Sequence, residues 1–294
     1  MGMTRTQRRG AAATVVAVVT AVAGLVALPG FASGAPSAAS SLTGTWVASG
    51  ATSGVVKVVI RRSAGGAITV DSYNACGRPR PCASGKVAAT VFGPAADSVT
   101  GTWFASNQAL AGASQVLLGR LVSTSRGRRL TIEAYTVFRD GSRSNTAQTR
   151  QFRRTGRASA TTRNGTAATT YPAGKQPSVP DAMVGVWHNV LKAPKALVRI
   201  EITRANDGSL LVHPFGACTP TPCDTGVTAA IAYGASPSAT SATRFLAPAD
   251  YGFKRTLYAG LSISSKGVLT VATSSEFTDG SGRSSYALLE RFTR

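Results

Sequence analysis

Acidic residues and histidine are scarce in this chain, whose 294 residues carry 12 Asp and Glu and two His against 32 Lys and Arg. A hydrolase built on paired carboxylates or on a histidine-centred triad therefore has few groups to draw on. Charged residues make up 15%, too few for a coiled coil, and hydrophobic residues 43%, too many for a disordered chain. No G-x-S-x-G, phosphate loop or metal-binding helix pattern occurs, and nothing in the sequence calls for a cofactor or a metal.

One apolar run approaches membrane length, Ala11 to Leu28. Arg5, Arg8 and Arg9 precede it, and Pro29-Gly30 and the small residues Ser33-Gly34-Ala35 follow. That order predicts a secretory signal peptide over residues 1–35. The mature chain is then expected outside the cell, with no integral membrane segment and a net charge of +17 from 29 basic and 12 acidic residues. All four cysteines lie in the exported part, where disulfides are the default.

The rest of the chain is written twice. Leu42-Thr-Gly-Thr-Trp46 answers Val184-Gly-Val-Trp187, Val56, Val58 and Ile60 answer Val198, Ile200 and Ile202, and Val87 to Gly93 answers Val227 to Gly234. Phe138-Arg-Asp-Gly-Ser-Arg143 answers Phe277-Thr-Asp-Gly-Ser-Gly-Arg283, and Phe152 answers Phe292. The offset stays between 139 and 142, which defines two homologous domains at residues 42–155 and 184–294. Between them, residues 156–183 are rich in Thr, Ala, Gly and Pro. As a flexible linker this segment spans roughly 29 Å and lets the domains orient independently.

Within each repeat the apolar period is two. Val56, Val58 and Ile60 alternate with Lys57, Val59 and Arg61, which marks a strand with one buried face. Gly208 suits the left-handed position of a three-residue hairpin loop. The fold class expected is all-β: two tandem antiparallel domains, each of eight strands closed into a barrel.

The end motifs favour barrels over sandwiches. Trp46 in the first strand and Arg153 or Arg154 in the last would meet where the sheet closes, as would Trp187 and Arg291 or Arg294. This G-x-W and terminal arginine pattern resembles that of the calycins, lipocalins and avidins, and implies a calycin-like barrel. Biotin binding is not implied, because the tryptophans and polar ligands of an avidin pocket have no counterparts to align in a chain with three Trp. Were the interior open to a small apolar ligand, Trp46, Tyr135, Trp187, Tyr233 and Tyr258 would line it.

Duplication predicts one local disulfide per repeat, Cys76 with Cys82 and Cys218 with Cys223. Arg78 and Arg80 in the first loop are each followed by proline, which argues against a protease-inhibitor loop. With Gly208 closing its turn, Glu201 and His213 face each other across neighbouring strands, as an ion pair or, in an enzyme active only in the second repeat, as an acid–base couple. Both histidines lie in that repeat, so no mechanism shared by the repeats depends on them.

Basic charge is lopsided. The first repeat holds 15 Lys and Arg against 4 acids, the second 11 against 7. Arg126, Arg128, Arg129, Arg139, Arg143 and Arg150 concentrate late in the first repeat. On a common rim they would attract an anionic cell-wall polymer or another extracellular polyanion; otherwise the charge serves solubility alone. The sequence reads best as a secreted, non-catalytic binding module, with a secreted enzyme or an apolar-ligand carrier as alternatives.

Overall fold

The computed structural model describes residues 36–64, 66–77, 80–158, 164–168 and 173–294. The predicted signal peptide, and Arg78 with Pro79, lie outside these residues.

The first repeat contributes β1 (Ser37–Ala38), β2 (Gly44–Val47), β3 (Val55–Arg62), β4 (Ile68–Asn74), β5 (Cys82–Phe92), β6 (Thr100–Gly101), β7 (Trp103–Leu110), β8 (Ala113–Thr124), β9 (Gly127–Phe138) and β10 (Thr146–Gly156). The second contributes β12 (Gly185–Asn189), β13 (Leu197–Arg204), β14 (Leu210–Gly216), β15 (Cys223–Asp224), β16 (Thr228–Tyr233), β17 (Arg244–Asp250), β18 (Lys254–Ile263), β19 (Leu269–Phe277) and β20 (Tyr286–Thr293); β11 (Thr166–Ala167) lies between the repeats. Among the described residues there is no helix.

Each repeat is a closed eight-stranded antiparallel barrel. In the first, β2-β3-β4-β5-β7-β8-β9-β10 run in sequence and β10 pairs back onto β2. In the second, β12-β13-β14-β16-β17-β18-β19-β20 do the same. Each carries one extra strand, β11 on β7 and β15 on β14. Closure removes the sheet edges that would otherwise recruit other chains.

The duplicated motifs explain how the barrels are sealed. Trp46 and Trp187 are buried at 1% exposure, and each indole N–H donates to a carbonyl four residues earlier, Leu42 at 2.9 Å and Met183 at 3.1 Å. Gly44 and Gly185 have φ of +134° and +142°, where a side chain strains the backbone. A Cβ on Gly44 would also lie 2.6 Å from Nε of Arg154, and one on Gly185 3.3 Å from Nε of Arg294. The closing arginines are thus Arg154 and Arg294. Arg294 sits 4.8 Å from the Trp187 ring centroid and donates through Nη2 to the carbonyls of Asp181, Ala182 and Val184.

Opposite these seals, phenylalanine rings lie on glycine. A Cβ on Gly119 would come within 2.0 Å of the Phe104 ring, and one on Gly260 within 2.2 Å of the Phe245 ring. Leu117, Leu130, Ile132 and Phe152 fill the first barrel around Phe104. Leu269, Val271, Tyr258 and Phe292 do so around Phe245.

The barrels dock on each other through matching backbone bonds. Gly93 N donates to Ser285 O (2.9 Å), Ala287 N to Gly93 O (2.8 Å) and Ser284 N to Ala96 O (2.7 Å). The same three bonds recur with the repeats exchanged: Gly234 N to Asn145 O (2.9 Å), Ala147 N to Gly234 O (2.9 Å) and Ser144 N to Pro237 O (2.7 Å). This is the self-complementary contact of a twofold dimer, made within one chain. Between the two sets lies a shared apolar cluster of Val116, Leu118, Tyr135 and Val137 with Ile231, Tyr233, Leu246 and Leu261.

The linker differs from the free tether expected. Gly165 N donates to Lys86 O, Asn145 N to Lys175 O and Ser178 N to Thr240 O, so its described parts are bonded to both barrels. These bonds give partners to backbone groups at Lys86 in β5, at Asn145 just before β10 and at Thr240 between β16 and β17.

Gly260→Ala should lower stability by about 1–3 kcal/mol, because the Phe245 ring must leave its place on the glycine. The urea-unfolding midpoint measures this, and an unchanged midpoint would show that the ring does not pack there.

Candidate functional site

The end of each barrel marked by its disulfide is one candidate region. Cys76–Cys82 and Cys218–Cys223 both form, bridging β4 to β5 and β14 to β15. Period two places Ser72 of β4, Ser106 and Gln108 of β7, Gln115 of β8 and Thr136 of β9 on the inward face near this end of the first barrel. Ser72 Oγ donates to Gln108 Oε1 at 2.6 Å, and Gln115 Nε2 donates to Thr136 Oγ1 at 2.9 Å. Ser106 Oγ, Gln108 Nε2 and Gln115 Oε1 are buried without a partner. Each such group costs about 1–3 kcal/mol.

Arg150 belongs here too. It points inward from β10, and its Nη2 donates to Ser53 Oγ at 3.0 Å. With Val55, Ile132, Ala134, Gln148 and Phe152 it lines about 160 Å³ of unoccupied space, partly open to solvent and nowhere wide enough for a water molecule. Deeper in, the interior is apolar, with Trp46, Phe104, Leu117 and Phe152 buried in the first barrel and Trp187, Phe245 and Phe292 in the second.

The five predicted aromatic liners separate accordingly. Trp46, Trp187 and Tyr258 are inside the barrels, and Tyr258 shares a 3.0 Å hydroxyl contact with Tyr251. Tyr135 and Tyr233 are not interior: they point outward into the seam between barrels, edge to face at 5.1 Å. Tyr135 has the parity of Thr131 and Glu133, opposite to inward Leu130 and Ile132, and the partner barrel is what buries it.

The basic residues do not share one rim. Arg126, Arg128 and Arg129 cap the β8–β9 hairpin, beside Arg153 and Arg154 at the end of β10 and Arg62 at the end of β3. Arg139 and Arg143 lie at the other end of β9, roughly 34 Å away at about 3.4 Å per residue. Since charges further apart than about 8 Å are screened from each other at physiological salt, the two groups act separately. Arg62, Arg126, Arg128, Arg153 and Arg157 are exposed, and none has an ion-pair partner among the described residues.

Arg143 has a structural task that the motif repeats. Its Nε meets Asp140 Oδ2 at 2.6 Å and its guanidinium stacks 4.0 Å from the Phe138 centroid; Arg283 does the same with Asp279 (2.6 Å) and Phe277 (3.9 Å). Both carboxyls are held down at about 2, Asp140 chiefly by the Arg143 backbone N–H and Asp279 chiefly by the Ser281 side chain. The D-G-S stretches are therefore turns clamped by arginine.

In the second repeat Glu201 and His213 do face each other, with Oε2 and Nδ1 3.9 Å apart. The closer partner of His213 is Asp224, whose Oδ1 lies 2.5 Å from Nε2. Asp224 follows Cys223, and the disulfide return brings it onto β14; its carboxyl is lowered by the His213 bond first and the Gly226 N–H second. Glu201 also pairs with Arg199 at 3.1 Å. All of this lies on the outer face of the barrel, with Asp224 exposed, as an ion-pair network. Among the described residues no group of three or more His, Cys, Asp or Glu is placed to hold a metal, and no helix is long and apolar enough to cross a membrane.

One charged group sits inside the seam. Glu133 is buried at 5% exposure and accepts a hydrogen bond from Thr149, whose hydroxyl also accepts from Arg244 Nη2 of the second barrel at 2.9 Å. Burial raises its carboxyl pKa, against the pull of Thr149, Arg244 and Arg120.

Fold and sites define an all-β protein made of two closed eight-stranded barrels docked face to face. No protein-family model, curated protein or solved structure matches the chain.

A carboxyl with a raised folded-state pKa favours the folded protein most below its unfolded value near 4.5, and that contribution is lost as pH rises through the folded value. Glu133→Gln should therefore flatten this part of the stability–pH curve and leave neutral-pH stability no lower. Denaturant titrations between pH 4 and 8 check it; an unchanged slope would mean that burial does not control Glu133.

Proposed function

We propose that the chain is a secreted, non-catalytic binding protein whose first barrel holds an extracellular polyanion at its arginine end. The observation that carries this reading is the group of exposed arginines, Arg62, Arg126, Arg128, Arg153 and Arg157, with no acidic partner. Cations left unpaired at a protein surface retain their counterions until a polyanion displaces them, and that release supplies salt-dependent affinity. Arg139, Arg143 and Arg150 fall outside the contact set, because they lie at the other end and the last two are engaged by Asp140 and Ser53. The calycin-like resemblance rests on the G-x-W strand and its covering arginine, and the engagement of Glu201 by Arg199 and of His213 by Asp224 on the outer face supports an ion-pair network over an acid–base couple.

With a short DNA duplex as a calibrated polyanion, replacing Arg126, Arg128 and Arg153 by alanine should reduce the salt slope of log Kd by about three, one per lost contact. Arg139→Ala with Arg143→Ala should leave the slope unchanged. A slope that responds equally to both sets, or to neither, refutes the arginine-end site.

A further inference from the structure

We propose that the disulfide end of the first barrel is a second binding site, built for a small neutral molecule bearing an amide. This proposal is independent of the polyanion reading, because the two sites occupy opposite ends of the barrel.

Two glutamines, Gln108 and Gln115, face each other across β7 and β8. Gln108 is 1% exposed and Gln115 3% exposed. Each has one end of its amide held, Gln108 Oε1 by Ser72 and Gln115 Nε2 by Thr136. The other ends, an N–H donor on Gln108 and a carbonyl acceptor on Gln115, have no partner, and neither does the Ser106 hydroxyl one inward position along β7. A fixed donor beside a fixed acceptor, with a hydroxyl able to serve as either, is the complement of an amide, which offers a carbonyl and an N–H side by side. Buried polar groups held in place by neighbours yet left open are what a polar ligand site presents before it is filled.

The second barrel supplies an internal comparison. At the positions of Ser106 and Gln108 it has Ala247 and Ala249, and at those of Gln115 and Thr136 it has Thr256 and Ser275, whose hydroxyls satisfy each other at 3.1 Å. The same scaffold therefore closes without the open groups, so the fold does not require them. Arg150, whose Nε also lacks a partner, is matched by Glu290. The space beside Arg150, about 160 Å³ between Ile132, Ala134, Gln148 and Phe152, lies in the same interior. Ser106, Gln108 and Gln115 do not line that space, so a ligand held by the glutamines has to make its own room by displacing side chains.

The test uses the full chain, labelled with nitrogen-15, and two probes, N-methylacetamide and N-acetylglucosamine. Side-chain amide resonances of Gln108 and Gln115 are assigned from single Leu variants and followed during titration. The expected result is a saturable shift of both, insensitive to salt, for at least one probe. Ser106→Ala with Gln108→Ala, which installs the residues of the second barrel, should keep the protein folded and abolish the shift. No saturable shift in the parent chain, persistence of the shift in the double variant, or failure of that variant to fold would each overturn the proposal, the last by showing that the polar groups serve the fold.

Discussion

The paired docking at Gly93 and Gly234 is the contact on which the rest of the molecule depends. Each glycine ends a strand of one barrel and exchanges two backbone hydrogen bonds with the start of the last strand of the other. These four bonds, with those from Ser284 N to Ala96 O and from Ser144 N to Pro237 O, frame an apolar seam, and buried backbone groups of this kind are costly to leave unpaired. Because the end of β5 meets the beginning of β20, and the end of β16 the beginning of β10, the barrels run in opposite senses. The arginine end of the first barrel is thereby set on the same side as the disulfide end of the second. The seam also explains two charged residues that neither barrel alone accounts for, Glu133 and Arg244, which reach each other only through Thr149.

Around this shared frame the two copies have diverged in what they display. What both retain is structural: the tryptophan with its carbonyl partner, the glycine under an arginine, the phenylalanine on glycine, and the turn in which an arginine clamps an aspartate. What differs lies at the ends. The first copy carries a cluster of unpaired arginines at one end and open amide groups at the other; the second carries the Glu201–His213–Asp224 ion pairs and a self-satisfied Thr256–Ser275 contact. A duplication that keeps the closure and changes the ends leaves function to the ends.

Much of this fold was legible in the sequence because period-two alternation and tight turns are local signals. The repeat register carried the barrel count and the disulfide pairing, and the Gly208 turn carried the facing of Glu201 and His213. The parts that were not legible depend on distance. Clustering of arginines along the chain hid a separation of a full strand length between Arg129 and Arg139. Tyr135 and Tyr233 read as interior because they are aromatic, yet their parity is outward and the other barrel covers them. Asp224 was invisible as a histidine partner, since only the closed Cys218–Cys223 loop returns it to β14. The open amides of Gln108 and Gln115 carry no sequence signal beyond polar residues at inward positions, which becomes apparent once strand register is known.

The docked seam is tested most directly by native-state hydrogen exchange at Gly93, Ala147, Gly234 and Ala287, whose amides donate across it. If the barrels form one body, these four amides exchange as slowly as the barrel strands and lose protection only with global unfolding. Exchange at the rate of exposed loops, while β9 and β19 remain protected, would show that the barrels are joined only by the linker and would contradict the account.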